Sequence, residues 1–133
     1  MHMKRSMTGF WLFVLGWTAA MFAAAWLAPD TATALRLICN VMTLGMALLT
    51  HIICLNGSVH WYTGVSFEEA EAAGEVRRAA YARAMRKPFL VIALGMLLLS
   101  GCGHLLGWSM WIDFAAATIG TVAAAISTVR IKL

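Results

Sequence analysis

The stretch SFEEAEAAGEVRRAAYARAMRK, residues 66–87, holds nine of the chain's sixteen charged residues, with the acids first and the bases last. Long apolar segments lie on both sides of it. The chain has 133 residues, of which 62% are hydrophobic and only 12% charged. Soluble domains carry about 25% charged residues. The pattern therefore predicts one small integral membrane domain with a single polar insertion.

Four apolar runs are long enough to cross a hydrocarbon core of about 30 Å. They cover residues 10–27, 34–55, 88–106 and 111–129. Only helices and closed barrels satisfy their backbone polar groups in lipid, and these runs lack the period-2 alternation of barrel strands. The first run, preceded by two bases, resembles a secretory signal peptide, but its length favours a span. The sequence predicts an all-α bundle of four transmembrane helices.

The polar stretch itself predicts a helix between the second and third spans. Ser66 and Glu69 fit the S-x-x-E capping box, and the acid-to-base order complements the helix macrodipole. A helix over 66–87 would extend about 31 Å, and Pro88 is expected to end or kink it before the third span. Its apolar and charged faces suit a connector, a docking surface or a regulatory element. The residues predicted to contact a partner are Arg77, Arg78, Arg83, Arg86 and Lys87.

The basic residues predict the orientation of the chain. Every Lys and Arg except Arg36 falls on the side shared by the N-terminus, the polar stretch and the C-terminus. By the positive-inside rule, both termini and the polar stretch are cytoplasmic. Because the net charge of +4 comes from bases that flank spans, nucleic-acid binding is not expected. The predicted location is a bacterial inner membrane, with the bilayer itself, another membrane protein or a second copy as partner.

The spans offer few groups for chemistry. No Asp, Glu, Lys or Arg falls in the middle of a predicted span, and Asp30 and Asp113 are expected at the outer rim. A proton-coupled exporter needs a buried carboxylate, so this pattern disfavours that mechanism. Asn40, Thr43 and His51 share a face of the second span and are predicted either to line a pathway or to form hydrogen bonds between helices.

Side chains that could bind a soft metal ion occur as two pairs, each short of a full set of ligands. His51 precedes Cys54 by three residues, and Cys102 lies close to His104. Thiolate and imidazole suit copper or zinc, but neither pair reaches three ligands, so the sequence predicts no metal and no cofactor. A disulfide between Cys39 and Cys102 is one possibility on the outer side. Without a phosphate-binding glycine loop or a nucleophile elbow, the chain is not expected to be an enzyme.

Small residues recur at four-residue spacing on the first and fourth spans. Gly16 and Ala20 form one such stripe, and Gly120 and Ala124 form the other. Stripes of this kind let helix backbones approach closely in lipid. They predict either packing of the first helix on the fourth or association into a homo-oligomer.

Three parts of the central region carry a family resemblance. They are YTGVSFEE at 62–69, Tyr81, and MRKPF at 85–89, which leads into an apolar span containing glycine. These motifs resemble those of small bacterial multi-pass membrane proteins of unknown function that are grouped with SdpI-like immunity proteins. The resemblance covers about 30 residues and implies a role in the membrane without established catalysis.

Together these features predict a bacterial inner-membrane protein of accessory, regulatory or immunity type that acts through protein or membrane contacts. The alternative is a small oligomeric transporter or channel subunit for a small solute or ion.

Overall fold

The computed structural model describes residues 7–62 and 65–133 and is helical apart from the connecting turns of those ranges. Its elements in chain order are α1 (Thr8–Leu27), α2 (Thr31–Asn56), a 3₁₀ turn (Val59–Trp61), α3 (Phe67–Ala73), α4 (Glu75–Leu106) and α5 (Met110–Thr128). The helices α1, α2, α4 and α5 are each long and apolar enough to cross a membrane. The predicted fold class, four spans with a short helix between the second and third, is confirmed.

The turns between spans are built by capping residues. Asp30 ends the α1–α2 turn, and its side chain accepts a hydrogen bond of 2.7 Å from the Thr33 backbone N–H. That bond lowers the pKa of the Asp30 carboxyl. Gly57 and Gly107 follow α2 and α4 with φ values of 72° and 71°, a left-handed conformation that favours glycine. These signals stop each helix near the end of its apolar run.

The polar stretch differs from its prediction in two ways. The capping box at Ser66 is confirmed, because its Oγ accepts the Glu69 N–H and its own N–H donates to the Glu69 carboxylate. The helix that begins there nevertheless ends at Ala73, and Gly74 with φ 86° separates it from α4. The helix boundary predicted at Pro88 is wrong, since α4 passes through it without interruption. A proline inside a helix removes one hydrogen bond and crowds the carbonyl four residues earlier, at a cost of about 3 kcal/mol. The long apolar run on the C-terminal side of Pro88 offsets this cost.

The helix α2 lies at the centre of the bundle. It packs against α1, α4 and α5, while α5 also packs on α4, and α1 is in extensive contact with α2 alone. No residue of α1 between Thr8 and Leu27 is buried. The predicted packing of the first span on the fourth is therefore wrong. The helix α2 is central because its small and polar residues let three other helices approach it closely. The helix α1, in contrast, exposes large apolar side chains to its surroundings.

Trp17 joins α1 to α2 in mid-span. Its indole Nε1 donates a hydrogen bond of 2.9 Å to the Val41 carbonyl, and its ring lies against the bare Cα of Gly45. A Cβ at Gly45 would overlap the indole ring. An indole N–H facing lipid would be unsatisfied, so this contact both satisfies the donor and brings the helices together.

Two apolar clusters form the core, one near each end of the bundle. The start of α1, residues 57–62 and 65–87, and residues 128–133 meet at one end, which we call the basic end. Its cluster comprises Leu49, Ile53, Val59, Ala70, Tyr81, Ala82 and Met85. Nearer the opposite end, where the α1–α2 and α4–α5 turns lie, the cluster comprises Cys39, Met96 and Ala117.

Candidate functional site

Polar side chains from three helices meet inside the end of the bundle opposite the basic end. Ser100 on α4 donates through Oγ to Asp113 Oδ2 at 2.6 Å, and Asn40 on α2 donates through Nδ2 to Ser100 Oγ at 2.7 Å. Arg36 Nε lies 3.5 Å from Asp113 Oδ1. We call these four residues the buried polar cluster. The cluster ties α2, α4 and α5 together through one carboxylate.

The ion pair within this cluster is well removed from water. The Asp113 side chain is 0% exposed and that of Arg36 is 13% exposed. The Arg36 guanidinium also donates through Nη2 to the Trp108 carbonyl, which joins it to the α4–α5 turn. A buried charge destabilises a fold unless it is paired and hydrogen-bonded. The pair therefore holds Arg36 and the turn in one arrangement.

Hydrogen bonding within the cluster is incomplete. Arg36 Nε, Asn40 Oδ1 and Asp113 Oδ1 are buried and make no hydrogen bond within the described part of the chain. At 3.5 Å, the Arg36 and Asp113 atoms form an ion pair of opposite charges that is too long for a strong hydrogen bond. Buried polar atoms without hydrogen bonds are uncommon and mark strain or function. The cluster thus contains three buried polar atoms whose hydrogen-bonding capacity is not used within the described part of the chain.

The sequence did not predict that Asp113 belongs to a buried polar cluster. The sequence predicts Asp113 at the outer rim, and the residue does lie near the start of α5. Its side chain, however, points into the bundle. The signal in the sequence is that Arg36 and Asp113 are oppositely charged and lie near the starts of α2 and α5, at the same end of the bundle. Polar Asn40 and Ser100 lie close to that end too.

The three residues predicted to line a pathway have separate surroundings. Asn40 belongs to the buried polar cluster, whereas Thr43 is buried and donates to backbone carbonyls of its own helix at 3.1 Å. His51 is exposed and accepts a hydrogen bond of 3.1 Å from Arg86 Nη1, since a guanidinium can only donate. None of these three residues lines the cavities of about 670, 370 and 290 Å³ that the described residues form. Pathway lining stays a prediction.

The soft ligands are not gathered into a centre. Among residues 7–62 and 65–133, no three His, Cys, Asp or Glu side chains lie close enough together to hold a metal ion. His51 contacts Arg86, and Cys54 is half-buried on the same helix. Cys102 and His104 are exposed near the other end of the bundle. Cys39 is a buried free thiol, not part of a disulfide with Cys102.

The small-residue stripes also differ from one another in their contacts. A Cβ at Gly120 would lie 3.1 Å from Ile92 of α4, so this stripe is a helix contact, and Ala124 is buried. Gly16 has no neighbour within 4 Å of such a Cβ. Gly16 and Ala20 instead line an apolar groove of about 370 Å³ between α1 and α2. Apolar groups face this groove almost throughout, as expected of a surface in contact with lipid tails.

The cations predicted to contact a partner divide into two sets. Arg78 Nη1 donates to the Ala70 carbonyl at 2.9 Å and fixes α3 on α4, and Arg86 donates to His51. Arg77, Arg83 and Lys87 are exposed, and none of them makes a hydrogen bond or an ion pair with the described residues. Arg83 and Lys87 are one helical turn apart, so they lie on one face of α4. We call this pair the cationic pair.

Comparison of the chain with protein-family models, curated proteins and solved structures finds no match. The resemblance of the central region to SdpI-like proteins therefore stays a prediction.

Aromatic rings brace the basic end next to these cations. The rings of His60 and Phe67 pack edge to face with centroids 5.3 Å apart, and those of Tyr62 and Tyr81 do so at 5.9 Å. Burial raises the pKa of Tyr62 well above its ordinary range, so its phenol stays neutral at physiological pH. At the basic end these packed aromatic rings therefore lie close in the chain to the exposed cations Arg77, Arg83 and Lys87.

Proposed function

We propose that this chain is an accessory protein of regulatory or immunity type, without catalytic activity, that binds an acidic membrane-protein partner through its basic end. The observation that supports this most is the cationic pair, Arg83 and Lys87. Their charges are exposed and make no ion pair with the described residues, although four glutamates lie nearby in sequence. Unpaired exposed charges of one sign steer a partner of the opposite sign and set the rate of association.

The hydrogen bonds made by polar side chains of α2 support a role in protein contacts rather than in conducting ions or solutes. Thr43 and Thr50 donate to carbonyls of their own helix, and Asn40 bonds Ser100. Side chains engaged in this way stabilise a helix bundle in lipid. A conducting path would need such groups to face a common water-filled space.

Charge reversal of the cationic pair tests the proposal. We expect the Arg83→Glu/Lys87→Glu variant to lose an acidic partner that is crosslinked to wild-type protein in native membranes and identified by mass spectrometry. Because neither side chain makes a hydrogen bond or an ion pair with the described residues, thermal unfolding in detergent should change little. Asn40→Ala and His51→Ala should retain the crosslink.

Two results would contradict this proposal. One is a charge-reversed protein that is equally stable and still forms the same crosslink. The other is loss of the crosslink in Asn40→Ala but not in the charge-reversed protein.

A second function, proton-coupled transport of a small solute, is supported by one observation. Asp113 is fully buried beside Arg36, and its Oδ1 makes no hydrogen bond to the described residues. Ionisable groups inside a membrane domain are costly and are commonly found on ion and proton pathways. The bundle therefore contains a buried carboxylate, that of Asp113, although the sequence predicts this residue at the outer rim.

Flux measurements distinguish this second function from the first. Proteoliposomes with an internal pH-sensitive dye would show solute-dependent proton movement with wild-type protein and none with Asp113→Asn. Asn keeps a group that can accept from Ser100 but leaves Arg36 without its charged partner, so thermal unfolding in detergent must first show that the variant is folded. Proton movement that is equal in empty liposomes and in both proteins would exclude transport of the solute tested.

A further inference from the structure

A cavity of about 670 Å³ opens at the basic end, between α3, the first turns of α4 and the residues that follow α5. A smaller cavity of about 290 Å³ adjoins it and shares Arg77, Tyr81, Ile131 and Leu133 with it. Ligand sites in proteins have volumes of about 300–1,000 Å³. The larger cavity is thus of a size that accepts part of a lipid or another small molecule.

Part of the wall of the larger cavity is apolar. The aliphatic and thioether side chains that line it are Val65, Met85, Val129, Ile131 and Leu133. Val129 is 77% exposed and directly follows α5. The cavity is therefore continuous with the apolar outer surface of the bundle, at the level where hydrocarbon gives way to headgroups.

The two adjoining cavities together are lined by two cations, Arg77 and Lys132, and one carboxylate, Glu69, so their side-chain charges sum to +1. Arg77 lies between the two cavities, is exposed, and makes no hydrogen bond or ion pair with the described residues. Lys132 lines the smaller cavity, is exposed, and likewise makes no hydrogen bond or ion pair with the described residues. Glu69 also lines the larger cavity, but its carboxylate accepts the Ser66 N–H at 3.2 Å and is held at the start of α3.

We propose that this cavity binds an anionic phospholipid, with the phosphate on Arg77 and Lys132 and an acyl chain against Met85, Val129 and Ile131. A guanidinium binds phosphate oxygens through two parallel N–H bonds, and the ammonium adds a second positive charge. Basic pockets at the headgroup level of helix bundles favour lipids with net negative charge. The site is separate from the cationic pair on α4, so the inference does not depend on the proposed partner.

Lipid titration of the purified full chain tests the site. Phosphatidylglycerol or phosphatidylcholine is added to protein in mild detergent, and bound lipid is counted by native mass spectrometry alongside thermal unfolding. We expect phosphatidylglycerol to bind and raise Tm, and phosphatidylcholine to bind more weakly. Arg77→Gln and Lys132→Gln should each weaken phosphatidylglycerol binding about fivefold, the usual effect of one basic residue near a membrane surface.

Two variants separate the cavity from general surface charge. Arg83→Gln removes an exposed charge outside the cavity and should bind phosphatidylglycerol as wild type does. Ala72→Trp fills the cavity from α3 and leaves every charge in place, so it should lose binding. Because Ala72 is exposed, this variant is expected to fold.

Two results with the variants would overturn the inference: Arg83→Gln weakening phosphatidylglycerol binding as much as Arg77→Gln does, or a folded Ala72→Trp protein binding phosphatidylglycerol as wild type does. Two results with the wild-type protein would do so as well: equal binding of phosphatidylglycerol and phosphatidylcholine, or the same rise in Tm with inorganic phosphate alone. Loss of the partner crosslink in Arg77→Gln with lipid binding unchanged would assign the cavity to a protein partner instead. Loss of lipid binding in Arg77→Gln with the crosslink unchanged would support the lipid site alone.

Discussion

At the scale of single residues, Asp113 shows how burial changes the role of a charge. Its carboxylate is 0% exposed, accepts from Ser100 and faces Arg36. An exposed ion pair contributes at most about 1 kcal/mol to stability, while breaking a buried pair costs about 3–5 kcal/mol, because the remaining charge is left unpaired. The pair is therefore important for stability whether or not it also takes part in transport.

Removing either partner of this pair is expected to destabilise the bundle. Asp113→Ala should lower the free energy of unfolding by about 3–5 kcal/mol, since Arg36 would keep its charge in a buried site. The double variant Arg36→Ala/Asp113→Ala should lose less than the sum of the single variants, because each removes the same interaction. Unfolding in mixed micelles by titration with a denaturing detergent measures both effects.

Glu71→Gln provides the matched control for that experiment. Glu71 is an exposed acid on α3, and its replacement should change the free energy of unfolding by no more than about 0.5 kcal/mol. Additive effects of the two single variants, or an Asp113→Ala protein as stable as Glu71→Gln, would show that the two side chains are not coupled.

At the scale of elements, the central polar stretch shows which residues determine where a helix begins and ends. The capping box at Ser66 started α3 as its sequence indicated. Gly74 then ended the segment after seven helical residues, and Pro88, the more familiar helix breaker, did not end α4. A glycine at φ 86° adopts a backbone that other residues rarely reach, whereas a proline removes one donor from an otherwise continuous helix.

The contact between α1 and α2 depends on the absence of a side chain at Gly45. Gly45→Ala would place a methyl group inside the Trp17 indole, so we expect a loss of about 1–3 kcal/mol in the free energy of unfolding, typical of overpacking. Gly16→Ala adds the same methyl group where no neighbour lies within 4 Å and should be neutral. The Trp17 fluorescence should change in the first variant only, in a background where the remaining tryptophans are replaced by phenylalanine. Equal stability of the two variants would contradict the close approach.

At the scale of the whole molecule, the fold separates two kinds of polar region. The buried polar cluster lies inside one end of the bundle, whereas exposed cations and the lipid-sized cavity lie at the other. Between them α2 is enclosed by three helices, and α1 adds an apolar outer layer with no buried residue. Stability therefore depends mainly on α2, α4 and α5, and both proposed binding functions are assigned to the basic end.

Orientation in the membrane is testable at this scale. Since bases collect on cytoplasmic loops, the basic end should be cytoplasmic. In a variant with Cys39, Cys54 and Cys102 replaced by Ala, a membrane-impermeant maleimide should label Ala32→Cys in intact bacterial spheroplasts. Ala72→Cys should be labelled only after permeabilisation. Both sites are exposed, so accessibility of the thiol itself does not limit labelling. The reverse pattern would contradict the predicted orientation.

The amino-acid sequence alone was sufficient for the number of spans, their approximate ends and the capping box at Ser66. These properties depend on hydropathy, helix length and side chains within a few residues of each other, all of which are local in the chain. It also indicated which residues carry charge at each end of the bundle. Even the break within the polar stretch had a local signal in Gly74.

Only the tertiary structure decided which helices touch and which charges are paired. The Arg36–Asp113 contact, the Trp17–Gly45 contact and the cavity beside Arg77 each join residues from different helices. The same sequence pattern is compatible with several helix arrangements, because lipid solvates every apolar face about equally well. Close packing and the satisfaction of polar groups select among those arrangements, and both depend on residues far apart in the chain.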